Sequence, residues 1–204
     1  MNAGPSKRRI ALLATGGTIE KTYDPLAGVL HNQVSVLDVM LARMELRGVE
    51  MSRVPLMNKD SLDMDERDHE FIARTTHHLA EVQDGVVIVH GTDRLARTGE
   101  LILEQGTPPV PVVLTGAMRP YELRSTDALQ NLTEALLAVQ LLPPGVYCVM
   151  HNRVLPFPGV VKDRIAGTFL PAEYASMEGD PVDENVSSRP HPASFDGPDE
   201  DTSV

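Results

Sequence analysis

Three short segments of this sequence gather small residues and hydroxyls: Thr15-Gly16-Gly17-Thr18, Gly91-Thr92-Asp93 and Thr115-Gly116-Ala117. Glycine lets backbone amides approach a ligand closely, threonine puts a hydroxyl on the rim, and Asp93 adds a carboxylate. The set suits a small polar molecule. Two threonines at parallel positions suggest hydroxyl nucleophiles, which react only beside a base. Bases are scarce: the chain has four lysines (Lys7, Lys21, Lys59, Lys162) against fourteen arginines, and arginine keeps its proton at working pH. Lys162, next to Asp163, is either an amine delivered to these hydroxyls or a solvated surface lysine.

Other chemistries fit less well. His69, His77 and His78 lack the i, i+4 pairing of a helical zinc site, and His90 is either catalytic or a hydrogen-bonded support for the Gly91-Thr92-Asp93 turn. No metal and no cofactor are expected. Lys21-Thr22 follows a glycine turn, but a phosphate loop needs Gly directly before the Lys and another five residues earlier, where this chain has Glu20 and Thr15. Gly16 and Gly17 are adjacent, so no dinucleotide fingerprint follows the first strand. The single cysteine, Cys148, excludes an internal disulfide and lies in the apolar Val146 to Met150 segment as a buried thiol.

The elements that must position these residues are legible. Arg9 to Ala14, Gly85 to Val89, Val110 to Leu114 and Val146 to Met150 are short apolar runs, the pattern of strands buried on both faces. Val49 to Met57 alternates as a further strand. Helical spacing covers Val34 to Arg43, Asp63 to about Val82 with an acidic first turn, Thr98 to Gln105, and Ser125 to Leu142, capped by Ser125 or Thr126 and stopped by Pro143-Pro144-Gly145. Alternating strands and helices predict an α/β fold, a doubly wound, mostly parallel open sheet flanked by helices. The ligand crevice of such a sheet lies outside the strands' carboxyl ends, where the three segments stand.

Length, 204 residues, allows one such domain. The net charge of −11 disfavours nucleic acid, and no apolar run approaches the roughly 20 residues that span a bilayer. The basic amino terminus leads into an apolar stretch broken at Thr15, so no signal-peptide core forms and a cytoplasmic protein is expected. Residues 173–204 hold nine carboxylates and one arginine together with Pro181, Pro190, Pro192 and Pro198. The expected organisation is a domain over 8–172 and an acidic disordered tail over 173–204, either an interaction segment or a solvating extension.

Ile10 to Ile19, His90-Gly91-Thr92-Asp93 and Val113 to Pro120, three motifs in order, resemble the bacterial-type L-asparaginase and glutaminase family over roughly residues 9–171. Asp60 to Met64 is similar to the family's substrate-binding segment, and Lys162 falls where the family has its catalytic lysine. The resemblance implies hydrolysis of a side-chain amide to aspartate and ammonia. Thr18 is then the nucleophile, Tyr23 its activator, and Thr92, Asp93 and Lys162 a second polar set. Ser61 and Asp93 hold the substrate's α-carboxylate and α-amine, with Gly17 and Gly91 lining the site. Backbone amides around Thr18 and Thr92 are candidate oxyanion donors.

The sequence also departs from the family. Glu20 and Arg94 stand at positions usually small and Thr, and Leu62 where many members have a polar residue. The acidic tail begins where a carboxyl-terminal domain would start, which implies the short single-domain form. That form is expected to self-associate, as a dimer or higher homo-oligomer, and to bind L-asparagine weakly. Two other readings remain: a silent asparaginase-like binding or assembly module, and a component of a transfer-RNA-dependent amidotransferase. The first has no need of Thr18, Ser61, Thr92, Asp93 and Lys162 together, and the second wants a basic surface.

Overall fold

A computed structural model of the chain describes residues 6–32 and 35–175. The first apolar run becomes β1 (Arg8–Gly16), buried from Ile10 onward. A 3-10 turn (Thr18–Glu20) leads into a hairpin of β2 (Thr22–Asp24) and β3 (Val29–His31). Next come α1 (Leu37–Leu41), β4 (Val49–Lys59), a second 3-10 turn (Ser61–Asp63) and α2 (Glu66–Val82). The alternation β5 (Gly85–Val89), α3 (Leu95–Glu104), β6 (Pro111–Thr115), α4 (Ala128–Leu141) and β7 (Gly145–Met150) follows. The chain then forms β8 (Arg153–Pro156), β9 (Val160–Asp163), β10 (Thr168–Pro171) and the single-turn α5 (Ala172–Ala175).

The main sheet runs β4-β1-β5-β6-β7-β8, with the first five strands parallel and β8 antiparallel to β7. This is the expected doubly wound, mostly parallel α/β fold. Side chains alternate across it. Ala11, Leu13, Val86 and Ile88 pack with Ile72, Ala73, Leu95 and Ile102 of α2 and α3. Ile10, Leu12, Val87 and Val89 pack with Leu37, Met40, Leu132 and Leu136 of α1 and α4. The chain leaves β1 for β4 on one side and returns as β5 on the other, so the strand order reverses between β1 and β5. A ligand crevice belongs at that switch point.

Several boundaries differ from the sequence expectation for local reasons. Asp60 accepts a hydrogen bond from Leu62 N, which starts the 3-10 turn, and Asp65 with Asp68 forms a reciprocal capping box, so α2 begins at Glu66 rather than Asp63. In α3 the fully buried Leu95 lies in the first turn, one turn ahead of the expected start at Thr98. α4 begins at Ala128 rather than Ser125 because Thr126 Oγ1 donates back to Arg119 O, and the Asp127 carboxylate turns toward the preceding loop. The expected helix from Val34 is described only as Leu37–Leu41, with residues 33 and 34 outside the described range. Cys148 is buried in β7, where desolvation pushes its thiol far up. Residues 173–175 of the expected tail belong to α5, and the remainder of that segment lies outside the described residues.

Candidate active site

Glycine closes the crevice from below. Gly17 has φ +83°, and a Cβ there would stand 2.4 Å from Cα and N of Gly91. A Cβ on Gly91 would stand 2.5 Å from Ser61 Oγ. No side chain fits at either position, so the turns after β1 and β5 touch backbone to backbone, and the Ser61 side chain of the turn after β4 packs on Gly91. That contact brings Thr18, Ser61 and Thr92 to one place. Gly17 N donates to Lys59 O at 2.8 Å, and Asn32 Nδ2 donates to Gly17 O at 2.9 Å, fixing the first turn further.

The four threonines at the strand ends divide by role. Thr15 Oγ1 donates to Val89 O at 3.0 Å and Thr115 Oγ1 to Val149 O at 2.9 Å, both fully buried. These two tie neighbouring strands together, which corrects the expectation that they present hydroxyls on the rim. Thr18 and Thr92 lie beyond the ends of β1 and β5. Thr92 is nearly buried, and its hydroxyl accepts from Lys162 Nζ at 2.8 Å. Lys162 Nζ also donates to Asp93 Oδ1 at 3.1 Å. The lysine arrives on β9, which pairs with β10 outside the main sheet, and Phe169, almost fully buried opposite Lys162, anchors that hairpin.

Ser61 is 1 % exposed, and its hydroxyl has no hydrogen-bond partner among the described residues. A buried orphan hydroxyl against Gly91 is an unmet demand for a polar ligand atom. Beside it Asp60 pairs with Lys21 at 2.6 Å. Burial would raise the Asp60 carboxyl, but the Lys21 hydrogen bond, the Leu62 amide and the nearby Lys162 charge together hold it below its ordinary value. Tyr23 stands apart. The residue is 55 % exposed on β2, its backbone N donates to Glu122 at 2.6 Å, and no hydrogen bond joins its hydroxyl to Thr18 among the described residues.

Beneath the Gly91-Thr92 turn His90 is the hydrogen-bonded support the sequence offered, and it belongs to a relay through Thr98 and His69 that the sequence did not show. His90 Nδ1 stands 2.8 Å from Gly91 O; a carbonyl only accepts, so Nδ1 carries the hydrogen. His90 Nε2 then accepts from the Thr98 hydroxyl at 2.8 Å, and Thr98 Oγ1 accepts in turn from His69 Nδ1 at 2.7 Å. The two rings stack with centroids 6.1 Å apart. Burial pushes His90 down to about 4 against the raising effect of Gly91 O, and burial also lowers His69. Both imidazoles are therefore neutral at pH 7, as this donor order requires. The i, i+4 test for zinc passes over His69, whose partner sits 29 residues away on α3. Among the described residues no group of His, Cys, Asp or Glu is placed to hold a metal ion.

A second support lies under the Thr115 turn. Asp127 accepts from Met118 N, Arg119 N, Asn131 Nδ2 and His151 Nε2 at 2.8–2.9 Å. Burial would raise its carboxyl, and these donors outweigh burial and hold it down. Glu20 is the opposite case. It is 1 % exposed, its carboxylate oxygens have no hydrogen-bond partner among the described residues, and burial raises it despite the nearby Ser35 hydroxyl and Arg53 charge.

Residues 9–166 match the family described as asparaginase, N-terminal. The chain belongs to the asparaginase family. It is 31 % identical over 151 residues to an L-asparaginase of Thermococcus kodakarensis, covering 72 % of this chain and 45 % of the relative. It is 32 % identical over 150 residues to a glutamyl-tRNA(Gln) amidotransferase subunit of Methanobrevibacter smithii, covering 72 % of this chain and 34 % of that one. The solved structure of the thermostable L-asparaginase from Thermococcus kodakarensis superposes with a TM-score of 0.73 at 30 % identity, covering 80 % of this chain and 51 % of the other. A probable cytoplasmic L-asparaginase from Campylobacter jejuni superposes at 0.68 with 32 % identity over 80 % of this chain and 52 % of that one. The asparaginase-family chain thus spans a third to a half of these relatives. Among its described residues, no helix is long and apolar enough to cross a membrane.

Proposed function

We propose that this chain hydrolyses the side-chain amide of L-asparagine to L-aspartate and ammonia through a threonine nucleophile. The observation that carries the reading is Lys162 Nζ, 2.8 Å from Thr92 Oγ1 and 3.1 Å from Asp93, delivered to the switch point of the sheet from a separate hairpin. Thr18 Oγ1 attacks the amide carbon and hands its proton to Tyr23, its activator when the β2–β3 hairpin closes, which gives that proton back to Thr18 when the ester is hydrolysed. Charge develops on the carbonyl oxygen toward the backbone amides around Thr18 and Thr92. Lys162 fills one lone pair of Thr92 Oγ1, so the Thr92 hydrogen is free to point into the crevice. Thr92 gives that hydrogen to the departing nitrogen and is refilled from Lys162. The C–N bond breaks, ammonia leaves, and an ester stays on Thr18. Water hydrolyses the ester, returning its proton through Thr92 to Lys162.

Asp93 and Ser61 hold the α-amine and α-carboxylate, and Gly17 and Gly91 give the ligand access to backbone. Glutamine, one methylene longer, is expected to react more slowly than asparagine. Coupled ammonia release with both amides is the experiment: turnover of asparagine ahead of glutamine supports the reading, and no release from either overturns it.

One observation favours a second reading. The chain is similar to a subunit found in several glutamyl-tRNA(Gln) amidotransferases, so the same ammonia-releasing chemistry would serve a transferase. Free ammonia from asparagine with this chain alone favours the hydrolase. Self-association, as a dimer or higher homo-oligomer, is part of the proposal. Leu137 and Leu141 of α4 and Val154 of β8 lie exposed close together and line one apolar groove, the kind of face a second copy covers. A strict monomer by light scattering would contradict it.

A further inference from the structure

Asp93 carries two cations on one oxygen. Lys162 Nζ lies 3.1 Å from Oδ1, and Arg164 Nη1 lies 3.2 Å from the same atom. Arg164 opens the turn that follows β9, and its guanidinium reaches back to the same carboxylate oxygen that Lys162 holds. The turn beyond is held tightly. Asp163 Oδ1 accepts from Ile165 N at 2.8 Å and Ala166 N at 2.9 Å, Gly167 takes φ +62°, and Thr168 closes the hairpin opposite Asp163. Arg164 therefore has a fixed root, although its side chain is 70 % exposed.

We infer that Arg164 is a specificity-determining residue, and that the site favours an asparagine whose α-nitrogen is acylated while its α-carboxylate is free, as at the carboxyl end of a peptide. The inference rests on the proposed function, which gives Asp93 the substrate's α-amine. A free α-ammonium reaching Asp93 meets two positive charges already seated there and must displace the guanidinium or endure like-charge repulsion. An acylated nitrogen is neutral and meets no such opposition. The remaining α-carboxylate is attracted by Lys162 and Arg164 together, one cation in excess over Asp93.

Binding of the non-reacting products tests this without relying on turnover. Dissociation constants of L-aspartate and Nα-acetyl-L-aspartate are measured by titration calorimetry on the full chain, on Arg164→Ala and on Arg164→Lys. The exposed guanidinium limits the effect to about three- to tenfold. Arg164→Ala is expected to tighten L-aspartate by that factor and to leave the acetylated product unchanged or weaker. Arg164→Lys, which keeps the charge, is expected to stay near the parent. L-aspartate binding that is unchanged in Arg164→Ala, or absent throughout, overturns the inference. Weaker binding of both products in Arg164→Ala overturns it too, making Arg164 a carboxylate clamp. Ammonia release from L-asparagine, measured in parallel, separates the two claims. Release without the binding shift removes the role of Arg164 alone, and the shift without release removes the hydrolase.

Discussion

The turns after β1 and β5 touch through Gly17 and Gly91, yet they are built differently. The β5 turn is packed and wired: Thr92 is nearly buried, Lys162 grips its hydroxyl from one side, and the His90-Thr98-His69 relay holds Gly91 O from below. The β1 turn is open. The Thr18 hydroxyl makes no side-chain hydrogen bond among the described residues, Tyr23 is exposed, and the buried Glu20 has the Ser35 hydroxyl and the Arg53 charge as the main offsets to its burial. One half of the site is thus set before substrate arrives and pays no ordering cost on binding. In the proposed mechanism, the other half leaves the Thr18 hydroxyl free until substrate binds.

The largest expected effects fall on the hydroxyls of Thr18 and Thr92, one on each side of this divide. Thr18→Ala and Thr92→Val should each lower kcat for L-asparagine by on the order of 100-fold or more. Their melting temperatures should differ. Thr92→Val leaves Lys162 short of a buried acceptor and should melt several degrees lower, whereas Thr18→Ala should melt like the parent. Near-normal kcat in either folded variant removes that residue's role.

The relay should matter less but measurably. Thr98→Val keeps the shape and removes both of the hydroxyl's hydrogen bonds, so kcat should drop about tenfold with KM nearly constant. Thr98→Ser should recover most of it. A fall in melting temperature with no change in kcat would make the relay purely structural.

How much of this is legible in the sequence follows the same division. β1, β5, β6 and β7 can be read because strands buried on both faces are short, unbroken apolar runs bounded by glycine or proline, as in Gly85 to Val89. The site motifs can be read because close backbone approach demands glycine at Gly17 and Gly91. The relay cannot, since Thr98 and His69 meet only when α2 packs on α3, and neither local spacing nor residue type announces that. Thr15 and Thr115 read as rim residues because a strand-end threonine looks the same whether its hydroxyl faces a ligand or the neighbouring strand. Arg164 is not legible because it lies in the turn after β9 and meets Asp93 only once that turn is folded. The start of α4 is hard to place because Asp127 turns its carboxylate to the Met118 and Arg119 amides instead of capping its own helix.

A smaller prediction concerns stability and sharpens the contrast between two buried carboxyls. Glu20, raised by burial, is least costly when protonated. Its unfavourable contribution appears as pH rises above the ordinary glutamate value near 4.5 and persists at neutrality. Glu20→Gln should therefore raise the melting temperature by about 2–4 °C at pH 7, corresponding to about 1 kcal/mol, with no gain at pH 4. Asp127, held down by its donors, has the reverse sign. Its contribution is present above the ordinary aspartate value near 3.8 and is lost as pH falls through its lower folded value. Asp127→Asn should lower the melting temperature at pH 7 and flatten the acid limb of the curve. A Glu20→Gln protein that melts lower at pH 7 would show that the carboxylate has a partner.

The most direct test of the central claim is ammonia release from L-asparagine by the parent chain and Lys162→Arg, each with its melting curve. Arginine keeps the charge and the hydrogen bonds to Thr92 and Asp93 but cannot pass on a proton. The parent should form ammonia and aspartate in equal amounts. Lys162→Arg should melt within a few degrees of it and lose about 100-fold or more in kcat, almost as much as Lys162→Ala. An arginine variant that keeps most of the turnover would make Lys162 an electrostatic support and contradict the proton relay through Thr92.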